Sequence, residues 1–279
     1  MPHPLLDCAR IDVLPEAFLP TVGEVFAVFA RSQDSGNHSY GVRVGAERFF
    51  VKTAGPPDGL GGSLSHAERV ALLRNAASLH TSFRHPALPR LHTLIESPAG
   101  PMLVYAWVDG ELLGVPRERR GDPSSPYQRF RALPVATICH SLDTLYELHG
   151  ALGRAGWVAA DFYDGCLIYN FAAEALAVID IDMYHHGPFV NTRGRMFGSE
   201  RFMAPEEFVR GATIDGRSSV FTMGRTALLF LGDGTLNPTA FRGPPTLYAV
   251  LARACDPEPV RRFPSLEAFW SAWRVARAP

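Results

Sequence analysis

Strand-like runs crowd the first third of this chain, and helical patterns fill the remainder. Val25-Phe26-Ala27-Val28-Phe29, Tyr40-Gly41-Val42-Arg43-Val44 and Arg48-Phe49-Phe50-Val51-Lys52 are short apolar or alternating runs. Gly45-Ala46-Glu47 between the last two reads as a hairpin turn. Residues 54–63 are rich in Gly and Pro and read as a loop. Residues 65–83 read as a helix, because Ser65 with Glu68 three positions on has the capping-box pattern. Residues 88–95 and 101–107 read as two more strands, and residues 1–22 as a lead-in.

Beyond residue 108 the pattern changes. Residues 115–134 are charged and proline-rich and read as a surface loop or short helix. Residues 135–155 read as a long helix, and 166–169 with 176–179 as a short strand pair. Further helices are expected at 204–211, 217–231, 246–254 and 265–275, and no internal repeat is present. This order predicts an α+β, bilobal fold. A small β-rich lobe with one main helix would span 23–108. A larger, mostly helical lobe would span 109–279. A cleft between such lobes is a usual place for a ligand.

Composition narrows the function. Hydrophobic residues make up 47% and charged residues 20%, as in a globular protein with a sizeable core. A formal net charge of −1 supplies no global basic field for nucleic acid or an anionic membrane. The four cysteines, Cys8, Cys139, Cys166 and Cys255, show neither a CxxC pair nor zinc spacing, so reduced thiols are expected. The start of the chain lacks a basic segment followed by a long apolar one, and no run is long enough to span a bilayer. A cytoplasmic protein with no membrane insertion and no nucleic-acid partner is the expectation.

Among 27 basic residues only one, Lys52, is lysine, and it ends an apolar strand-like run. Arginine offers a planar fork of donors, whereas lysine is a compact charge on a flexible stem. A site that needs one ammonium among phosphate oxygens selects lysine. The second lobe offers the complementary charges. Asp161 stands in a loop before the apolar run ending at Tyr169, and Asp180 and Asp182 close the run Leu176-Ala177-Val178-Ile179. Carboxylates at strand ends suit Mg²⁺-bound phosphate chemistry, in which a further carboxylate orients a hydroxyl nucleophile.

Several segments, in order, resemble those of protein kinases. Gly198-Ser199-Glu200-Arg201-Phe202-Met203-Ala204-Pro205-Glu206 looks like the end of an activation segment with its APE motif. Asp256-Pro257 with Arg262-Phe263-Pro264-Ser265 resembles the C-terminal signature whose arginine pairs with the APE glutamate. Phe50-Val51-Lys52 resembles the phosphate-binding strand, and Leu103 through Gly110 the adenine-binding hinge. Residues 145–161 resemble the stretch leading to the catalytic aspartate, and Val178 to Asp182 the DFG region. Over residues 23–275 the chain is similar to the eukaryotic-like Ser/Thr protein kinases of bacteria. The resemblance implies ATP and Mg²⁺ as cofactors and a protein substrate. It implies that Lys52 contacts the α and β phosphates, that Asp161 orients the acceptor hydroxyl, and that Asp180 binds Mg²⁺. It places backbone groups of Ala106 and Val108 at adenine with Tyr105 beside them as gatekeeper, and a buried pair between Glu206 and Arg262.

The chain departs from the family at several positions. The Gly-rich loop is replaced by the stretch from Gln33 to Gly41, where Ser35, Gly36 and Asn37 are the candidate phosphate contacts. The arginine before the catalytic aspartate is Ala160, which removes the usual clamp for a phosphorylated segment. The metal-binding asparagine is Cys166, a poor ligand for a hard cation, and Asp182 or more weakly Asp164 would compensate. The helix glutamate that pairs with the lysine falls on Asn75; Glu68, two turns earlier, is either its replacement or only the cap. Ser219 stands where an aspartate is usual in the helix after APE. The alternatives to a protein kinase are an aminoglycoside-type small-molecule kinase and a nucleotide-binding pseudokinase.

Overall fold

Alternation of β-branched and aromatic residues drives the first part of the chain into one sheet. The computed structural model describes residues 2–29, 35–57 and 62–277. The chain divides after Val108 into two compact units. The first contains α1 (Pro15–Val22), β1 (Glu24–Phe29), β2 (His38–Val44), β3 (Glu47–Thr53), α2 (His66–Ser82), β4 (Leu91–Ser97) and β5 (Gly100–Ala106). The five strands form an antiparallel sheet in the order β1-β2-β3-β5-β4. β3 is central. Lys52 pairs across to Ser39 on one side and to Leu103 on the other.

The two faces of this sheet are covered differently. Phe49 and Val51 of β3 pack with Leu5, Ile11, Leu19, Val42 and Val104. Alternate residues of the strand turn to the opposite face, where Phe50 packs with Leu73 and Ala76 of α2 and with Leu103 and Tyr105. Residues 1–22, expected to be a lead-in, instead supply a helix and part of this core. The backbone of Ala9 and Ile11 also bonds to Glu96 at the sheet edge. The apolar positions Leu5, Ile11 and Leu19 have no helical or strand period, which hid this role. α2 starts where its cap predicts, with Ser65 and Glu68 forming the reciprocal capping box, an arrangement of about 1 kcal/mol.

The second unit is mostly helical. In chain order it contains β6 (Glu111–Leu112), α3 (Pro126–Arg131), α4 (Val135–Arg154), β7 (Trp157–Val158), β8 (Leu167–Asn170) and β9 (Ala175–Val178). They are followed by β10 (His185–His186), β11 (Phe189–Val190), β12 (Thr213–Ile214), α5 (Gly216–Leu231), α6 (Pro245–Ala254) and α7 (Leu266–Arg277). Rings from α4 and α7 build the core. Tyr146 meets Phe269 and Trp273 edge-on at 4.8 and 5.0 Å, and its hydroxyl donates to the Met223 carbonyl of α5 at 3.0 Å. The helix expected at 204–211 is only the 3-10 turn Pro205–Phe208. Val209 is extended and Gly211 lies at φ +87°, so the backbone turns off before a second helical turn forms. Among the described residues the fold is α+β with seven α-helices, and none is long and apolar enough to cross a membrane.

Candidate functional site

In the first unit, Lys52 is 6% exposed and shares the α2 face of the sheet with Phe50. Its charge reaches that helix. His80 of α2 has its pKa brought down to about 4, first by burial and then by the Lys52 ammonium. His80 also meets the Tyr105 ring edge-on at 5.0 Å. Lys52, His80 and Tyr105 therefore form one neighbourhood, with a neutral imidazole beside a buried cation. Glu68 acts as the cap: its Oε2 accepts from the Ser65 amide and hydroxyl, both at 2.8 Å.

The glycine-poor loop is placed by packing. Gln33 and Asp34 lie outside the described residues. Ser35 Oγ accepts from the Asn37 amide at 3.4 Å, Gly36 lies at φ +86°, and Asn37 is 2% exposed. A Cβ on Gly36 would lie 3.0 Å from Gly62 Cα, so only glycine lets the two backbones approach this closely. At Gly41, which closes that stretch, a Cβ would meet the Phe26 ring at 2.7 Å, so glycine makes room for that side chain. In the expected hinge, the Ala106 amide donates to the Arg90 carbonyl at 2.9 Å. Val108 follows directly after β5 and Trp107, and Tyr105 is 5% exposed.

In the second unit, three non-glycine residues have left-handed backbone among the described residues, and two of them are Asp161 at φ +58° and Asp180 at φ +56°. Such a conformation costs about 1–3 kcal/mol unless neighbours impose it, and aspartate tolerates it better than most residues. The neighbour here is Cys166. Its thiol reaches the carbonyl of Asp161 at 3.5 Å and that of Asp180 at 3.9 Å. It is fully buried, and burial followed by Asp180 and Asp161 pushes its pKa well above the usual thiol value. A neutral S–H donor between two carbonyls is a structural staple, not a cation ligand. The sequence pattern treated Cys166 only as a lost ligand, because the contact joins residues on separate loops.

Other long-range bonds hold the same loop. Ser219 of α5 accepts from the Ala159 amide at 3.0 Å, so the serine still anchors the backbone two residues before Asp161. His149 lies inside α4. Its Nδ1 lies 2.8 Å from the Leu145 carbonyl and its Nε2 2.7 Å from the Tyr184 hydroxyl. A carbonyl only accepts, so Nδ1 carries the proton and Nε2 accepts from Tyr184. Phe162, next to Asp161, packs edge-on against His149 at 4.9 Å. Asp164 is held by Arg201 at 2.8 Å, which occupies the weaker metal candidate.

The carboxylates expected to bind metal have unlike settings. Asp180 is exposed, whereas Asp182 is 6% exposed. Cys166 brings Asp161 and Asp180 together through their backbone. Among the described residues no cluster of three or more His, Cys, Asp or Glu is arranged to hold a metal ion. Mg²⁺ needs no such cluster when phosphates and water complete its shell. Asp180, a hard oxygen donor open to solvent, fits that use.

Glu206 and Arg262 form the buried pair that the resemblance implies. Arg262 donates twice to the Glu206 carboxylate, at 2.6 and 2.9 Å, with side-chain exposures of 0% and 9%. Ser218 adds a donor at 2.7 Å. Burial alone would raise the Glu206 pKa, but Arg262 and Ser218 outweigh it and bring the carboxyl below its ordinary value. Among the described residues adjacent Glu207 makes no ion pair, and Arg262 acts on it only weakly. Burial pushes its pKa up to about 7, and Glu206 and Asp161 add to the rise, while the Ala204 amide opposes it. Compared with protein-family models and with curated proteins, the chain matches none.

Proposed function

We propose that this chain is an ATP-dependent phosphotransferase with a bilobal, protein-kinase-like fold, and that it transfers the γ-phosphoryl group to a Ser or Thr hydroxyl of a protein. The observation that carries this reading is the Glu206–Arg262 pair. Two residues picked out by separate motifs, 56 positions apart, meet as a buried bidentate ion pair. The left-handed backbone at both Asp161 and Asp180 supports it, since strain of this kind gathers at working sites.

In this reading Lys52 neutralises phosphate charge and Asp161 accepts or orients the proton of the acceptor hydroxyl. Backbone groups of Ala106 and Val108 receive adenine beside Tyr105. Ser35, Gly36 and Asn37 border the phosphates. Asp180 and Asp182 would hold Mg²⁺, and the ion, when bound, would neutralise charge on the nucleotide. Positioning and electrostatics dominate phosphoryl transfer, so this short set suffices.

Cys166 favours a second reading, a nucleotide-binding pseudokinase, because a buried thiol stands where the family has a metal ligand. An acceptor screen with γ-labelled ATP and Mg²⁺ separates the readings. Label on Ser or Thr of a protein supports the first. Label only on a sugar or aminoglycoside, or nucleotide binding without transfer to any acceptor, overturns it.

A further inference from the structure

The segment from Gly198 to Glu206 carries an arginine that reaches out of it. Arg201 donates from one terminal nitrogen to Asp164 Oδ2 at 2.8 Å and from the other to the Tyr127 hydroxyl at 2.6 Å. Its guanidinium lies 5.0 Å from the Tyr127 ring centroid and 5.3 Å from that of Phe202. Asp164, three residues after Asp161, keeps 3% of its side chain exposed, against 22% for Arg201. The backbone is held too, because Arg225 of α5 donates Nε to the Arg201 carbonyl at 2.9 Å. One residue thus ties this segment to the Asp161 loop, to α3 and to α5.

The geometry needs arginine. A planar fork serves two acceptors at once, and a lysine ammonium at the same place would serve them poorly. The polarity is also informative. Ala160 gives the Asp161 loop no cation to hold a phosphoryl group on the segment. Here the cation is on the segment and the anion on the loop, and both are encoded in the chain. The rest of the stretch is held without modification as well. The Met196 amide donates to the Glu207 carbonyl at 2.9 Å, and Asn191 Nδ2 to the same carbonyl at 3.1 Å.

We propose that Arg201 is a positioning residue that locks the 198–206 segment onto the Asp161 loop through Asp164 and Tyr127, so that the segment is ordered without phosphorylation. The consequence for turnover rests on the phosphotransferase reading; the lock itself does not.

Amide hydrogen exchange on the full chain, phosphatase-treated and verified as unmodified by intact mass, tests the lock. Amides of 198–203 are expected to be protected in the wild type. They should exchange about tenfold faster in Arg201→Gln, with Arg201→Lys intermediate and α5 and α7 unchanged. Asp164→Asn leaves no orphaned buried carboxylate, so it provides the same comparison if Arg201→Gln fails to fold. In an active preparation Arg201→Gln should lower kcat about tenfold and leave KM for ATP within about twofold. Free exchange of 198–203 in the unmodified wild type, or unchanged protection in Arg201→Gln and Asp164→Asn, overturns the lock. Lost protection with unchanged kcat overturns the positioning role. A wild type that transfers no phosphoryl group overturns the function reading, while the exchange result still decides the lock.

Discussion

The two units hold their candidate charges by different means. In the first, Lys52 sits on a central strand, and register with Ser39 and Leu103 fixes where its side chain points. In the second, Asp161 and Asp180 sit on irregular backbone with positive φ, and contacts from distant residues impose it: Cys166 on both carbonyls and Ser219 on Ala159. A cation on a strand is set by local periodicity. A pair of loop carboxylates is set by tertiary bonds, each of which can be removed singly. The second arrangement should therefore be easier to break without unfolding the unit that carries it.

The largest stability effect is expected at the Glu206–Arg262 pair. Arg262→Ala leaves a buried carboxylate and should destabilise the second unit by about 3–5 kcal/mol, read from the denaturant midpoint. Replacing both partners with apolar residues should recover most of that loss. An equal loss in the double variant would show that the other bonds of Arg262 to the Asp256, Arg217 and Pro257 carbonyls dominate.

Acidification should separate the units by sign. His80 binds protons more weakly in the folded chain than at its ordinary value of 6.5. Its contribution is therefore intact above that value and is lost as the pH falls towards 4, by about 3 kcal/mol in all. Glu207 behaves oppositely, because its folded pKa is raised from 4.5 to about 7. Its contribution is intact below 4.5 and is lost as the pH rises through 7, by a similar amount of about 3 kcal/mol. His80→Gln and Glu207→Gln should each flatten one limb of the stability profile. A profile unchanged by either substitution would remove that group from the account.

Cys166 is the next test of the comparison. Cys166→Ser keeps a donor for the Asp161 and Asp180 carbonyls and should stay within about 1 kcal/mol of the wild type, whereas Cys166→Ala should cost about 1–3 kcal/mol. Equal stability of the two variants would show that the thiol fills space only. The smallest expected effect is that of Ser219→Ala, about 1 kcal/mol, from loss of the acceptor for the Ala159 amide.

What was legible in the sequence follows the same division. The strands around Lys52, the cap of α2 and the long helices α4 and α5 could be read from local period and capping residues. The Glu206–Arg262 pair was legible only through the ordered motifs. The core role of residues 1–22 was hidden, since Leu5, Ile11 and Leu19 follow no period. The staple at Cys166 and the Arg201–Asp164 contact were hidden for a related reason. They join segments far apart in the chain, and the residue type alone does not announce the partner. The need for glycine at Gly41 was hidden too, because the Phe26 ring that takes the space is on a neighbouring strand.

The most direct test of the central claim is transfer of label from γ-labelled ATP with Mg²⁺ by the wild type and by Asp161→Asn, with ATP affinity measured on both. Asparagine tolerates the left-handed backbone, so the substitution removes the carboxylate and keeps the loop. Transfer should fall by a factor on the order of 10²–10⁴, while affinity for ATP changes by less than about threefold. Transfer that persists at the wild-type rate in Asp161→Asn, or a wild type that binds ATP and transfers nothing, would contradict the central claim.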